Sequence, residues 1–264
     1  MLLCAGAWGD GVIVPESSPS RLPRIALIID DLGNMLVNSE RAAALDGPVA
    51  CAVLPHTPYA RRIAERAHAA GKEVMLHLPL EPVERFAPTS VGMIRIDTTR
   101  SQLSRILAID LASVPHAVGL NNHQGSLLTR HPGHMNWLMA EISGRGDLFF
   151  VDSFTSESSV ALRFAREHGV PSTRRDVFLD HTPTRAAIEE EFRRLQQIAR
   201  SRGIAVGIGH PYTVTLDYLE QAIPALRAEG FELVPVSVAI ALDVRPGIQT
   251  ASLDTRTAVH APAR

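Results

Sequence analysis

The chain has 264 residues, 45% hydrophobic and 20% charged, which excludes a disordered chain too poor in apolar surface to offset its conformational entropy. Its 26 basic and 28 acidic residues leave a formal charge of −2, so no basic field exists to hold nucleic acid or anionic lipid. Aliphatic runs such as Ile25–Ile29 are too short to span a bilayer, and Cys4 and Cys51 make neither a disulfide framework nor a metal half-site.

Residues 1–23 are expected to be a leader and linker, apolar and small at first and then rich in Gly, Pro and Ser. One reading makes it the remnant of an export signal; the other makes it a frayed terminus. From Arg24 to Leu242 short apolar runs alternate with amphipathic segments. The predicted strands are Ile25–Asp30, Val49–Leu54, Glu73–Leu78, Ala117–Asn121, Leu148–Asp152, Val177–Leu179, Ile204–Ile208 and Glu232–Val236. Their nearly continuous apolar character suits parallel strands covered on both faces. Thr57-Pro58, the capping-box spacing Thr99–Gln102, Pro132 and Thr182-Pro183 mark helix starts, and Pro224 is expected to kink a late helix. Residues 243–264 are polar, lack an apolar period and are expected to form a flexible tail. Strand and helix in series give either a barrel or an open doubly wound sheet. No GxGxxG or GxxxxGK[ST] follows a strand, which weighs against a nucleotide fold.

Parallel α/β folds carry their chemistry at the carboxyl ends of strands. There the sequence places Asp30-Asp31, Pro55-His56, His77 with Glu81, Asn121-Asn122-His123, Asp152-Ser153, Asp180-His181 and His210. Two carboxylates closing an apolar strand repel each other and are costly to desolvate unless a cation or proton is shared. A divalent metal resolves the conflict: one carboxylate ligates and its neighbour is free to take a proton from water. An exposed Asp-Asp turn beside Gly33 and Asn34 is the other reading. His77 is either a satisfied core histidine or, with Glu81 four residues on, half of a zinc site. Glu81 could also act one step back, holding a ligand in place. His123 sits before Gly125, which lets the backbone turn sharply. His210, after Ile-Gly-Ile-Gly, has the chemistry of a general acid, and Asp152 could orient such a group. His56, His134 and His181 have weaker contexts and read as surface or support.

The segments Ile-Ile-Asp-Asp-Leu-Gly, Leu-Pro-His-Thr-Pro-Tyr-Ala, Val-Met-Leu-His-Leu-Pro-Leu-Glu-Pro, Asn-Asn-His-Gln-Gly-Ser, Phe-Phe-Val-Asp-Ser and Ile-Gly-His-Pro run in order from about Arg24 to Leu242. Together they resemble the divergent polysaccharide deacetylase family, the YibQ-like branch of the NodB-homology, carbohydrate esterase family 4 superfamily. The resemblance implies a single domain over 24–242, a distorted (β/α)7 barrel with one divalent metal ion, zinc, at the strand ends. It implies Asp30 as base and Asp31 as metal ligand, and it matches His77 to the first histidine of an H-x-x-x-H ligand motif. Glu81 stands at that motif's second histidine, so the third ligand is Glu81 or His123. His123 is preferred because a neutral imidazole leaves the metal more electrophilic. The family's arginine motif on the fourth strand is replaced by Asn121–Ser126, and its late histidine acid corresponds to His210. Members are generally exported, so a periplasmic place is expected, with a cytoplasmic one left open.

Two functions follow as expectations. One is a metal-dependent hydrolase of C–N bonds other than peptide bonds, removing N-acetyl or O-acetyl groups from an envelope glycan, with Asp30, His210 and Asp152 catalytic and Asp31, His77 and His123 on the metal. The other is a non-catalytic envelope protein that uses the barrel groove to bind glycan or a protein partner. A phosphoesterase is disfavoured, because no cluster of basic phosphate clamps is evident.

Overall fold

The apolar run from Ile25 to Ile29 forms the centre of a wholly parallel sheet. The computed structural model describes residues 22–84 and 90–243, so the expectations for a leader before Leu22 and a tail after Asp243 lie outside the described residues. The strands are β1 (Arg24–Leu32), β2 (Ala50–Val53), β3 (Val74–Leu80), β4 (Ala117–Gln124), β5 (Phe149–Asp152), β6 (Ser172–Arg174), β7 (Val177–Phe178), β8 (Ile204–Gly209) and β9 (Glu232–Leu233). Their order is β6-β5-β4-β3-β2-β1-β8-β7, and β9 pairs with the start of β1. The helices are α1 (Leu36–Ala44), α2 (Ala60–Ala69), α3 (Arg100–Ser113), α4 (Pro132–Ser143), α5 (Ala161–Glu167), α6 (Arg185–Arg202), α7 (Thr213–Ala225) and α8 (Val236–Leu242).

The two outermost strands, β6 and β7, are separated in the chain only by Arg175 and Asp176. Arg175 N bonds to Asp152 O on one side, and Asp176 N bonds to Val206 O on the other. One short crossing thus joins both ends of the sheet, which must curl into the distorted barrel that the resemblance implied.

Strand alternation divides the core in two. Ile25, Leu27 and Ile29 face outward with Cys51, Val53, Leu76, Leu78 and Phe150 under the helices. Ala26 and Ile28 face inward with Ala50, Ala52, Met75, Phe149, Val151, Val206 and Ile208. Helix α8 contributes Val236 and Ala239 to this inner cluster and plugs the barrel. Its first backbone N–H groups, on Val236 and Ser237, donate to the Glu73 carboxylate.

Several local signals behave as expected. Thr99 and Gln102 form a capping box, and Pro132 opens α4. Two differ. Thr57 does not cap α2; its hydroxyl donates to Leu54 O and the helix begins at Ala60. Thr182-Pro183 likewise precedes its helix, which Thr184 caps and which begins at Arg185; Pro224 lies inside α7, one residue before its last. The last predicted strand, Glu232–Val236, is a two-residue strand that turns into α8.

Candidate active site

The inward parity of each strand carries its polar end residue to the mouth of the barrel. Ala26 and Ile28 lead to Asp30, Met75 to His77, Gly119 to Asn121 and His123, and Ile208 to His210. Asp31 should face away by the same count. It does not, because its backbone is left-handed (φ 56°) and the β1–β2 register shifts between Ile29 and Leu32. That local break aims both carboxylates into one site.

Asp31, His77 and His123 offer ligand atoms that all lie within 4.8 Å of one another. Asp31 Oδ1 is 2.8 Å from His123 Nδ1 and 3.2 Å from His77 Nε2. The His123 and His77 nitrogens are themselves 3.2 Å apart. Asp31 Oδ1 is buried, and no donor reaches it with hydrogen-bond geometry. A buried oxygen crowded by two imidazole nitrogens, none forming a good hydrogen bond to it, is what a shared cation would satisfy. One carboxylate and two imidazoles are ligand types a divalent ion takes, so the residues fit a metal of the kind the resemblance implied. Burial works against ionising Asp31, but the flanking His123 and His77 hold it well below the usual carboxylate range.

Asn121, wholly buried, ties the cluster together. Its Oδ1 accepts from His77 Nδ1 at 2.8 Å, and its Nδ2 donates to Asp30 Oδ1 at 2.7 Å. The His77 proton is thereby placed on Nδ1, and Nε2 is presented to the site. Asp30 is 2% exposed; burial raises its carboxyl above the usual range, against the opposing pull of His77, His210 and Asn121.

Across the mouth, His210 Nδ1 donates to Asp180 Oδ1 at 2.9 Å. The other oxygen of Asp180 accepts from His210 N and Thr215 Oγ1. His210 Nε2 therefore faces the cluster, 3.9 Å from Asp31 Oδ2. Burial lowers the His210 pKa, yet the bond and charge of Asp180 outweigh it and push it up to about 9.

Two expectations are corrected here. Asp152 does not orient His210. It shares the outward parity of Phe150, and its carboxylate accepts from Ser159 Oγ and Phe154 N. Glu81 does not reach the cluster either; its carboxylate accepts from Ile96 N at 2.6 Å, where the chain returns to pair beside β3. Of the remaining histidines, His181 is exposed, His134 is buried against His131 and Thr98 O, and His56 is bound to Asp110. Asn121 and Asp180 are on the strand-end rim in sequence, but nothing there tells which imidazole each one holds.

The sequence profile described as divergent polysaccharide deacetylase matches residues 27–240, nearly the whole barrel. The chain belongs to the divergent polysaccharide deacetylase family. It is 36% identical over 207 residues to YibQ of Escherichia coli K12, covering 78% of this chain and 64% of YibQ. It thus spans just under two thirds of that relative's length. A Haemophilus influenzae protein is 32% identical over 211 residues, covering 80% of this chain and 74% of its own. Solved structures extend the likeness in fold. An uncharacterized Agrobacterium tumefaciens C58 protein matches with a TM-score of 0.79 at 24% identity, over 84% of this chain and 91% of its own. The catalytic domain of a peptidoglycan N-acetylglucosamine deacetylase from Eubacterium rectale matches with a TM-score of 0.54 at 17% identity, over 83% and 90%. A carbohydrate esterase family 4 pseudoenzyme from Bacillus anthracis matches with a TM-score of 0.50 at 15% identity, over 84% and 66%. The divergent deacetylase barrel is therefore shared by chains whose names record an enzyme and a pseudoenzyme. No helix among the described residues is long and apolar enough to cross a membrane.

Proposed function

We propose that the chain is a metal-dependent deacetylase acting on N-acetyl or O-acetyl groups of an envelope glycan. The observation that carries this reading is the meeting of Asp31, His77 and His123 around a buried carboxylate oxygen without a hydrogen-bond donor, with Asp30 on one side and the Asp180-held His210 on the other. Asp31 Oδ1, His77 Nε2 and His123 Nδ1 would hold the ion. When bound, a divalent ion such as zinc polarises the acetyl carbonyl and makes water nucleophilic at neutral pH.

The chain's own residues handle the protons. Asp30 Oδ1 is occupied by Asn121, which leaves Oδ2 to take the proton from the attacking water. Burial raises the basicity of that carboxylate, as a general base requires. His210 delivers a proton from Nε2 to the leaving nitrogen or oxygen, since Nδ1 is committed to Asp180. The C–N or C–O bond breaks, and acetate and the free amine or hydroxyl leave.

Glu81 favours a second reading, a non-catalytic glycan-binding or partner-binding protein, because it departs from the H-x-x-x-H ligand pair and points away from the site. Acetate release from a panel of N- and O-acetylated glycans and small acetyl esters separates the two. The deacetylase reading expects release by zinc-loaded protein, loss with chelator and recovery on adding zinc. No release from any substrate by fully loaded protein would replace it with the binding reading.

A further inference from the structure

Beside the metal cluster, on the same rim, lies a cavity of about 270 Å3 lined by Asn34, His56, Pro58, Ser90 and Val91. Its walls come from the loops that follow β1, β2 and β3. The first two loops are locked together. Gly33 O accepts from Tyr59 N, and a Cβ on Gly33 would lie 2.2 Å from Thr57 Oγ1, so only glycine permits the approach. Gly33 is two residues from Asp31, which ties the cavity wall to the candidate metal ligand.

The cavity contains a built histidine. His56 Nε2 donates to Asp110 Oδ1 at 2.7 Å, and Asp110 is a 1%-exposed carboxylate on α3. The His56 ring remains a quarter exposed. Its Nδ1 makes no hydrogen bond to any described residue and is left as an acceptor. Asp110 Oδ2 is buried without a partner, a cost that a purely structural pair would be expected to avoid. His56 itself has a left-handed backbone (φ 58°). Among the described residues five non-glycine residues adopt that region; Asp31, His56, Gln124 and Phe154 lie at or just beyond carboxyl ends of strands, and His116 lies just before β4. Strain of this kind persists where the surrounding structure holds a functional geometry.

We propose that this cavity is a sugar subsite, holding the glycan residue next to the one that carries the acetyl group. The inference rests on the deacetylase reading for the class of ligand, but not on turnover. Its lining suits a pyranose ring. Pro58 and Val91 offer apolar surface to the C–H face of a sugar, while His56 Nδ1, Asn34 and Ser90 offer partners for hydroxyl groups. Among the described residues no cationic side chain lines it.

The test is direct binding of N-acetylchitotetraose to the zinc-loaded full chain by calorimetry, alongside acetate release. His56→Gln keeps a donor for Asp110 but removes the imidazole. Val91→Trp, at a 70%-exposed position where folding is not at risk, fills the cavity mouth. Each is expected to weaken binding by about fivefold or more, the worth of one lost hydrogen bond or an obstructed site, while Arg163→Gln, at an exposed position on α5, binds at wild-type strength. Either cavity variant binding as tightly as wild type overturns the subsite and leaves the deacetylase reading standing. Weakened binding in both, with no acetate released by wild type, supports the subsite and removes the enzyme. No binding by wild type overturns the subsite, and acetate release then decides the deacetylase reading separately.

Discussion

The two rims of the barrel treat polar groups in opposite ways. At the amino-end rim the buried charges are paired, although the Ser172 hydroxyl at the start of β6 has no partner. Lys72, 7% exposed, donates to Leu45 O and Gly47 O, and Glu73 accepts the first N–H groups of α8. At the carboxyl-end rim Asp30 is buried, Asp31 Oδ1 lacks a hydrogen-bond donor, and four of the five described non-glycine residues with left-handed backbone are found, the fifth being His116 before β4. One rim holds the barrel together, and the other stores conflict that a ligand can relieve. Substitutions should therefore separate the rims: changes at the carboxyl end cost function, and changes at the amino end cost stability.

The largest effect is expected from Asp30→Asn. Turnover should fall by about 10²–10⁴, the usual worth of a general base. Zinc content and melting temperature should hold, because the amide keeps the shape and loses a buried charge. A drop in melting temperature as large as that expected of Lys72→Met would erase the contrast.

Asp180→Asn should act through His210. The His210 pKa lies at about 9, raised by Asp180 against the effect of burial. An acid with a raised pKa is protonated below that value and lost above it. The alkaline limb of the rate profile should therefore fall near pH 9 in wild type and move to lower pH in Asp180→Asn. An unmoved limb would remove His210 as the acid.

Lys72→Met tests the other rim. It leaves two loop carbonyls without their donor, at a cost of about 1–3 kcal/mol in unfolding free energy by denaturant titration. Turnover per folded molecule should be unchanged. The smallest effect is expected from Glu81→Gln, which should keep its zinc, because the carboxylate is spent on Ile96 N. Loss of zinc in that variant would restore Glu81 as a ligand.

Much of this was legible in the residues. Asp30-Asp31, His77, His123 and His210 each end an apolar run, and parallel connectivity puts such ends on one rim. The face of each residue was less legible. Leu148–Asp152 is apolar at every position but the last, since both faces of a parallel strand are covered. Without alternation, nothing in the sequence reports that Asp152 points outward toward Ser159 while Asp180 reaches His210. Strand β6 escaped for a related reason: Ser-Thr-Arg is three polar residues paired at a sheet edge. Helix α8, seven residues, is too short and too uniformly apolar to display a helical period. The left-handed turn at Asp31 is also silent in sequence, although it gathers both carboxylates into the site.

The central claim is that Asp31, His77 and His123 form a metal centre. Zinc titration of the chelator-stripped chain, followed by calorimetry against a competing chelator, tests it most directly. About one zinc per chain is expected. That binding should be lost in His77→Ala and His123→Ala and kept in Glu81→Gln and Asp152→Asn. Full zinc binding by both histidine variants, or none by the wild type, would contradict it.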